Sequence, residues 1–150
     1  MRLLIFVIGI PYLFRADRLG IMKGTLWCGA GNIATNKNQL GIFQGPDYCC
    51  RQHDHCPFKL EGFESKFGLS NWRPWVSVHC DCEEQFQNCL RLEGSEKSRL
   101  VGQLYFSYFN SRCFTLKPGQ ICSEKTWWGR CIKHTESLIG KWHTSPKFEY

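Results

Sequence analysis

Two acid–base side chains lie next to each other, His53 and Asp54, in the run Asp47-Tyr48-Cys49-Cys50-Arg51-Gln52-His53-Asp54-His55-Cys56. A neutral imidazole has an ordinary pKa of about 6.5, which suits it to take a proton from water near neutrality as a general base. A carboxylate one residue on can hold a cation. At helical spacing Cys49, His53 and Cys56 share one face and Cys50 and Asp54 form the adjacent stripe. Successive helical residues project about 100° apart, so His53 can address one neighbour while Asp54 addresses another.

The cation could be of two kinds. A zinc site from Cys49, Cys50, His53 and Cys56 has suitable ligand types, but adjacent cysteines and an oxidising compartment argue against it. Calcium takes about six to eight oxygen ligands, and residues 24–47, rich in Gly, Asn and Thr, read as a loop. Gly29 and Gly31 let that loop turn several carbonyls toward one point, with Asp54 supplying the carboxylate.

These residues need elements to position them. Pro46-Asp47 reads as the start of a first helix, which Pro57 ends. Residues 61–74 read as loop, with a short strand near Trp75 to Val78. A second helix follows in Cys80-Asp81-Cys82-Glu83-Glu84-Gln85-Phe86-Gln87-Asn88-Cys89-Leu90, where Cys82, Phe86 and Cys89 share a face and Glu83 lies one step around it. A third helix is expected from Ser95, its N-cap, to about Asn110, with Leu100, Val101, Leu104, Tyr105 and Tyr108 as its apolar face. The rest, from Cys113 to Tyr150, reads as turns and short strands pinned by Cys122 and Cys131.

The paired cysteines followed by His53-Asp54 resemble the active-site helix of secreted phospholipases A2. Gly24-Thr25-Leu26-Trp27-Cys28-Gly29-Ala30-Gly31-Asn32 is similar to the calcium loop of the bee-venom-type, or group III, branch, and Cys80-Asp81-Cys82, Cys89, Tyr105-Phe106 and Cys113 follow in that branch's order. The likeness covers roughly residues 24 to 135. It implies a mainly α phospholipase A2 fold: a disulfide-linked antiparallel helix pair, a calcium loop, a third helix and a small β element. It implies Ca2+-dependent hydrolysis of the sn-2 ester of glycerophospholipids, with His53 activating water and metal ligands from Trp27, Gly29, Gly31 and Asp54. The carboxylate that orients the base is an Asp in the family; here the matching residue is Glu83, supported by Tyr105, and an added methylene is expected to matter modestly. The implied disulfides are Cys28–Cys50, Cys49–Cys89, Cys56–Cys82, Cys80–Cys113 and Cys122–Cys131, a choice that spacing by itself leaves open.

Composition sets the compartment. A chain of 150 residues suits one domain, and its ten cysteines are the number expected of a disulfide-stapled protein outside the cytosol. Arg2 followed by the apolar stretch to Phe14 reads as a signal or pro-segment over 1–23, leaving a domain over 24–150 and a secreted product. The net charge is +6; Arg2, Arg15, Arg18, Lys23 and Asp17 contribute +4 − 1 = +3, so +3 remains beyond residue 23. That balance favours anionic surfaces such as acidic lipids and gives no case for nucleic acid, and the resemblance implies a phospholipid membrane surface as partner. Phe58, Phe63, Phe67, Trp72, Trp75 and the Trp127-Trp128 pair are candidates for an aromatic rim there. The sequence identifies no receptor. The competing reading is a non-catalytic secreted ligand or matrix protein on the same scaffold.

Overall fold

The computed structural model describes residues 20–149. Residues 1–19, most of the expected signal segment, therefore lie outside the described residues. Of the remainder of that segment, Ile21 is buried and the Met22 N–H donates to the Cys28 carbonyl at 2.8 Å.

Three helices carry the centre of the fold, as the sequence leads one to expect. Helix α1 (Gln44–Asp54) begins two residues earlier than Pro46, which sits in its first turn where its missing N–H costs nothing. Helix α2 (Cys80–Glu93) is capped at its start by the His79 imidazole, which accepts the Asp81 N–H, and ends at Gly94 with φ 69°, a left-handed position that glycine occupies without strain. Cys49–Cys89 is one rung between α1 and α2, and Cys56–Cys82 is a second, from two residues beyond the end of α1. Since the chain advances seven residues from Cys49 to Cys56 while their partners step back seven from Cys89 to Cys82, the two helices run antiparallel. Cys28–Cys50 ties the glycine-rich loop to the neighbouring face of α1. All five pairs are those the resemblance implies.

Helix α3 (Glu96–Gly102) is capped by Ser95, whose hydroxyl accepts the Ser98 N–H. It does not continue as an α-helix to Asn110: Gln103–Tyr108 form a π-helical turn. There is no room for a side chain at Gly102, where a Cβ would stand 2.5 Å from the Phe148 ring. The wider turn re-aims the side chains along it, so Phe106 is fully buried, Tyr105 faces α1, and Tyr108, expected on the apolar face, is 77% exposed.

The second departure is larger. Instead of turns and short strands, the C-terminal third is a long antiparallel hairpin of β5 (Arg112–Lys125) and β6 (Cys131–Thr144), stapled near its turn by Cys122–Cys131 and joined to α2 by Cys80–Cys113. Only its first residues enter the core; Phe114 packs against Leu60 and Leu69. The remaining strands, β1 (Lys59–Leu60), β2 (Ser65–Lys66), β3 (Leu69–Ser70) and β4 (Ser77–Val78), form two short ladders, β1 with β4 and β2 with β3. Beyond β6 the chain returns to α2 and α3, with Phe148 stacked on Phe106. Among the described residues no helix is long and apolar enough to cross a membrane.

Candidate active site

His53 lies between the two disulfide rungs, its ring 4.5 Å from that of Phe86 on α2 and almost wholly buried. Its Nε2 is 3.0 Å from Glu83 Oε2 and 3.1 Å from the Tyr105 hydroxyl oxygen. Its Nδ1 is 3.6 Å from Asp54 Oδ1. Four of the residues singled out from the sequence, His53, Asp54, Glu83 and Tyr105, thus meet around one imidazole. Because the fixed carboxylate and the phenol both stand at Nε2, the tautomer that satisfies them carries its hydrogen there and leaves the Nδ1 lone pair on the Asp54 side.

The electrostatics follow from burial with two anions close by. Burial taken alone pulls the His53 imidazole down, but the nearby Asp54 and Glu83 carboxylates outweigh it and raise the pKa to about 9. Burial also pushes the Asp54 carboxyl above the ordinary range, against the opposing pull of His53 and Lys59. Tyr105 is driven well above the usual phenol value by burial and then by Glu83 and Asp54, so its hydroxyl keeps its proton.

Glu83 is 2% exposed, yet both oxygens have hydrogen-bond partners. Opposite His53, its Oε1 accepts hydroxyl hydrogens from Ser111 at 2.8 Å and Ser145 at 2.7 Å. Asp81, beside the second helix's first cysteine, has an 83% exposed side chain and takes no part.

The loop that carries Trp27, Gly29 and Gly31 is positioned by a residue that sequence reading treats only as a helix cap. Asp47 is fully buried, and its carboxylate accepts the N–H groups of Leu26 at 2.9 Å, Trp27 at 2.8 Å and Gly41 at 2.8 Å. Trp27 also donates its indole N–H to the Gln39 carbonyl and lies against the His55 ring. Gly31 has φ 76°, and a Cβ at Gly29 would stand 2.3 Å from the Gly20 carbonyl oxygen, so neither position admits a side chain without rearrangement. Among the described residues, neither the Gly29 nor the Gly31 carbonyl accepts a hydrogen bond, which leaves their oxygens available as ligands. The donor types, the half-buried Asp54 carboxylate and neutral carbonyls, are those a hard oxygen-seeking cation prefers. The site does not suit zinc, because Cys49, Cys50 and Cys56 are all disulfide-bonded.

Ser111, Ser145 and Asp47 are the functional candidates that sequence reading misses. Asp47 alone carried a signal, its place in the Asp47–Cys56 run.

The aromatic candidates separate by exposure. Trp127 (92%), Trp72 (79%), Phe63 (69%) and Trp128 (63%) stand in solvent, while Trp75 packs on Phe109 and Phe67 on Phe114.

The family model described as phospholipase A2 matches residues 21–117. The chain is 42% identical over 117 residues to the group 3 secretory phospholipase A2 of Homo sapiens, covering 78% of this chain and 23% of that one. It is 43% identical over 121 residues to the acidic phospholipase A2 PA4 of Heloderma suspectum, covering 81% and 85%, and 42% identical over 117 residues to the phospholipase A2 of Apis cerana cerana, covering 77% and 87%. The chain thus spans about a quarter of the length of the human and bovine relatives and most of the lizard and bee ones. With its matched segment holding both disulfide rungs, the histidine and the two carboxylates beside it, the chain belongs to the phospholipase A2 family.

Proposed function

We propose that this protein hydrolyses the sn-2 ester of glycerophospholipids, releasing a fatty acid and a lysophospholipid, with water activated by His53. The observation that carries the reading is a single buried imidazole held at Nε2 by a carboxylate and facing a second carboxylate from Nδ1. Nδ1 takes a proton from water as the water oxygen attacks the sn-2 carbonyl carbon; the imidazolium then gives that proton to the departing glycerol oxygen. Glu83 fixes the ring and stabilises its positive charge, and Tyr105 braces the same edge. No serine nucleophile or acyl-enzyme is required. Asp54 with the Trp27, Gly29 and Gly31 carbonyls would hold calcium, which when bound polarises the ester carbonyl, anchors the lipid phosphate and neutralises one of the two anions that raise His53.

The protein acts outside the cell at a phospholipid surface. Ten disulfide-bonded cysteines support the compartment. The exposed Trp127 and Trp128 at the hairpin turn, flanked by Lys125 and Arg130, support contact with an anionic interface. No observation favours the non-catalytic alternative. The deciding experiment is fatty-acid release from phospholipid vesicles in calcium and then in chelator. Release that stops in chelator and returns with calcium is expected; undiminished release in excess chelator refutes the metal-assisted reading.

A further inference from the structure

A glutamate in the place of an aspartate poses a physical problem. Its carboxylate is one carbon further from the backbone, about 1.5 Å, and moves on an extra rotatable bond. A buried charge with that freedom is costly unless its oxygens are matched by donors.

The hairpin root supplies those donors. Ser111 immediately precedes β5 and Ser145 immediately follows β6, and both are buried. The Ser145 N–H donates to the Ser111 carbonyl at 3.0 Å, continuing the ladder beyond its Arg112–Thr144 pair, so the two hydroxyls are set by backbone pairing. α2 holds the root on both sides of Glu83. Cys80, three residues before it, is bonded to Cys113; Gln87, four residues after it, donates to the Pro146 and Lys147 carbonyls. A carboxylate can only accept, so both hydroxyls donate to Oε1 while Oε2 remains for His53.

We propose that Ser111 and Ser145 are positioning residues for the reaction: they clamp the outer oxygen of Glu83 and so fit a glutamate to the task of orienting His53. The inference rests on the hydrolytic reading above. A merely structural role for two buried serines makes a different forecast, since its effects would not depend on which group occupies position 83.

The test uses the full chain with Ser111→Ala, Ser145→Ala and both together, each also in a Glu83→Gln background. At saturating calcium, each single change should lower kcat about tenfold, the magnitude of a lost hydrogen bond to a charged group. KM for vesicle lipid and calcium affinity should stay unchanged. In the Glu83→Gln background the same changes should cost less than about twofold, the signature of groups acting through a shared partner. Ser145→Thr, which keeps the hydroxyl, should restore most of the turnover. Effects that simply multiply with Glu83→Gln, or a threonine variant as impaired as the alanine one, overturn the proposal.

Should the alanine variants fail to fold, Glu83→Asp with both serines intact decides. The shorter arm cannot reach His53 and the hydroxyls together, so kcat should fall about tenfold, and an aspartate as active as the glutamate overturns the clamp. A readout independent of turnover separates this inference from the reading beneath it. The low-field proton resonance of the His53 Nε2–H should be sharp in the native chain and shifted or broadened in Ser111→Ala/Ser145→Ala. Absence of fatty-acid release from the native chain defeats the hydrolytic reading, and an unmoved resonance defeats the clamp.

Discussion

Glu83 and Asp54 flank the same imidazole, but one side is finished by protein and the other is not. Glu83 has partners on both oxygens: His53 on one, two serine hydroxyls on the other. Asp54 meets His53 Nδ1 at 3.6 Å, beyond good hydrogen-bond distance, and its side chain is 15% exposed. Burial raises its proton affinity. The difference separates two jobs for one chemical group. A carboxylate with protein partners on both oxygens is a fixture of the fold, whereas one that is half-buried and under-used gains from a cation.

The comparison can be broken by exchanging carboxylate for amide on either side. The largest effect is expected from His53→Gln, which removes the base that both sides serve; turnover should drop about a thousandfold with calcium affinity kept. Asp54→Asn should follow, with calcium affinity and turnover lost together and turnover down by a few hundredfold at fixed calcium. Glu83→Gln should lower kcat about a hundredfold while calcium binding, followed by calorimetry, stays as it was. If instead Glu83→Gln weakened calcium and Asp54→Asn did not, the assignment of the two sides would be reversed.

Two smaller effects sharpen the contrast. In chelator, His53 carries a pKa of about 9 against an ordinary 6.5. A raised pKa adds stability that is complete below about pH 6.5 and is lost as pH climbs through about 9, and the raised Asp54 acts in the same direction. The melting temperature of calcium-free protein should therefore fall across that window, and His53→Gln should flatten the fall. Smallest for the chemistry, Trp127→Ala with Trp128→Ala should weaken binding to anionic vesicles about tenfold and leave hydrolysis of a dispersed short-chain substrate unchanged. Equal loss on both substrates would remove the hairpin turn from the lipid contact.

What the sequence revealed and what it hid divide along the range of the interactions. Helices α1 and α2 follow from local periodicity, while the meeting of His53 with Glu83 is what the resemblance to secreted phospholipases A2 implies. The β5–β6 hairpin was obscured because most of both strands is solvated, so no alternation of apolar and polar residues marks them; only Cys113 and Phe114 at the root are buried. The π-helical turn begins just after Gly102, where Phe148, distant in sequence, leaves no room for a side chain. Asp47 resembles any first-turn acid until the loop's N–H groups are seen to converge on it. Ser111 and Ser145 are the extreme case, since a serine carries no pattern and its role is set wholly by its partner. Glu83 was read as a tolerable lengthening of an aspartate; with the serines in place, shortening it becomes the damaging change.

The distance along the chain between Glu83 and its donors also sets a timetable. The α1–α2 pair can close early through contacts 26 and 40 residues apart, but Ser145 lies 62 residues from Glu83 and Gln87 is 59 residues from Pro146. Contacts that close long loops bear a larger entropic cost and form slowly. Recovery of helical signal during refolding is thus expected to precede recovery of catalysis, with the delay matching the docking of residues 145–149 on α2. Simultaneous recovery of both signals would refute this order.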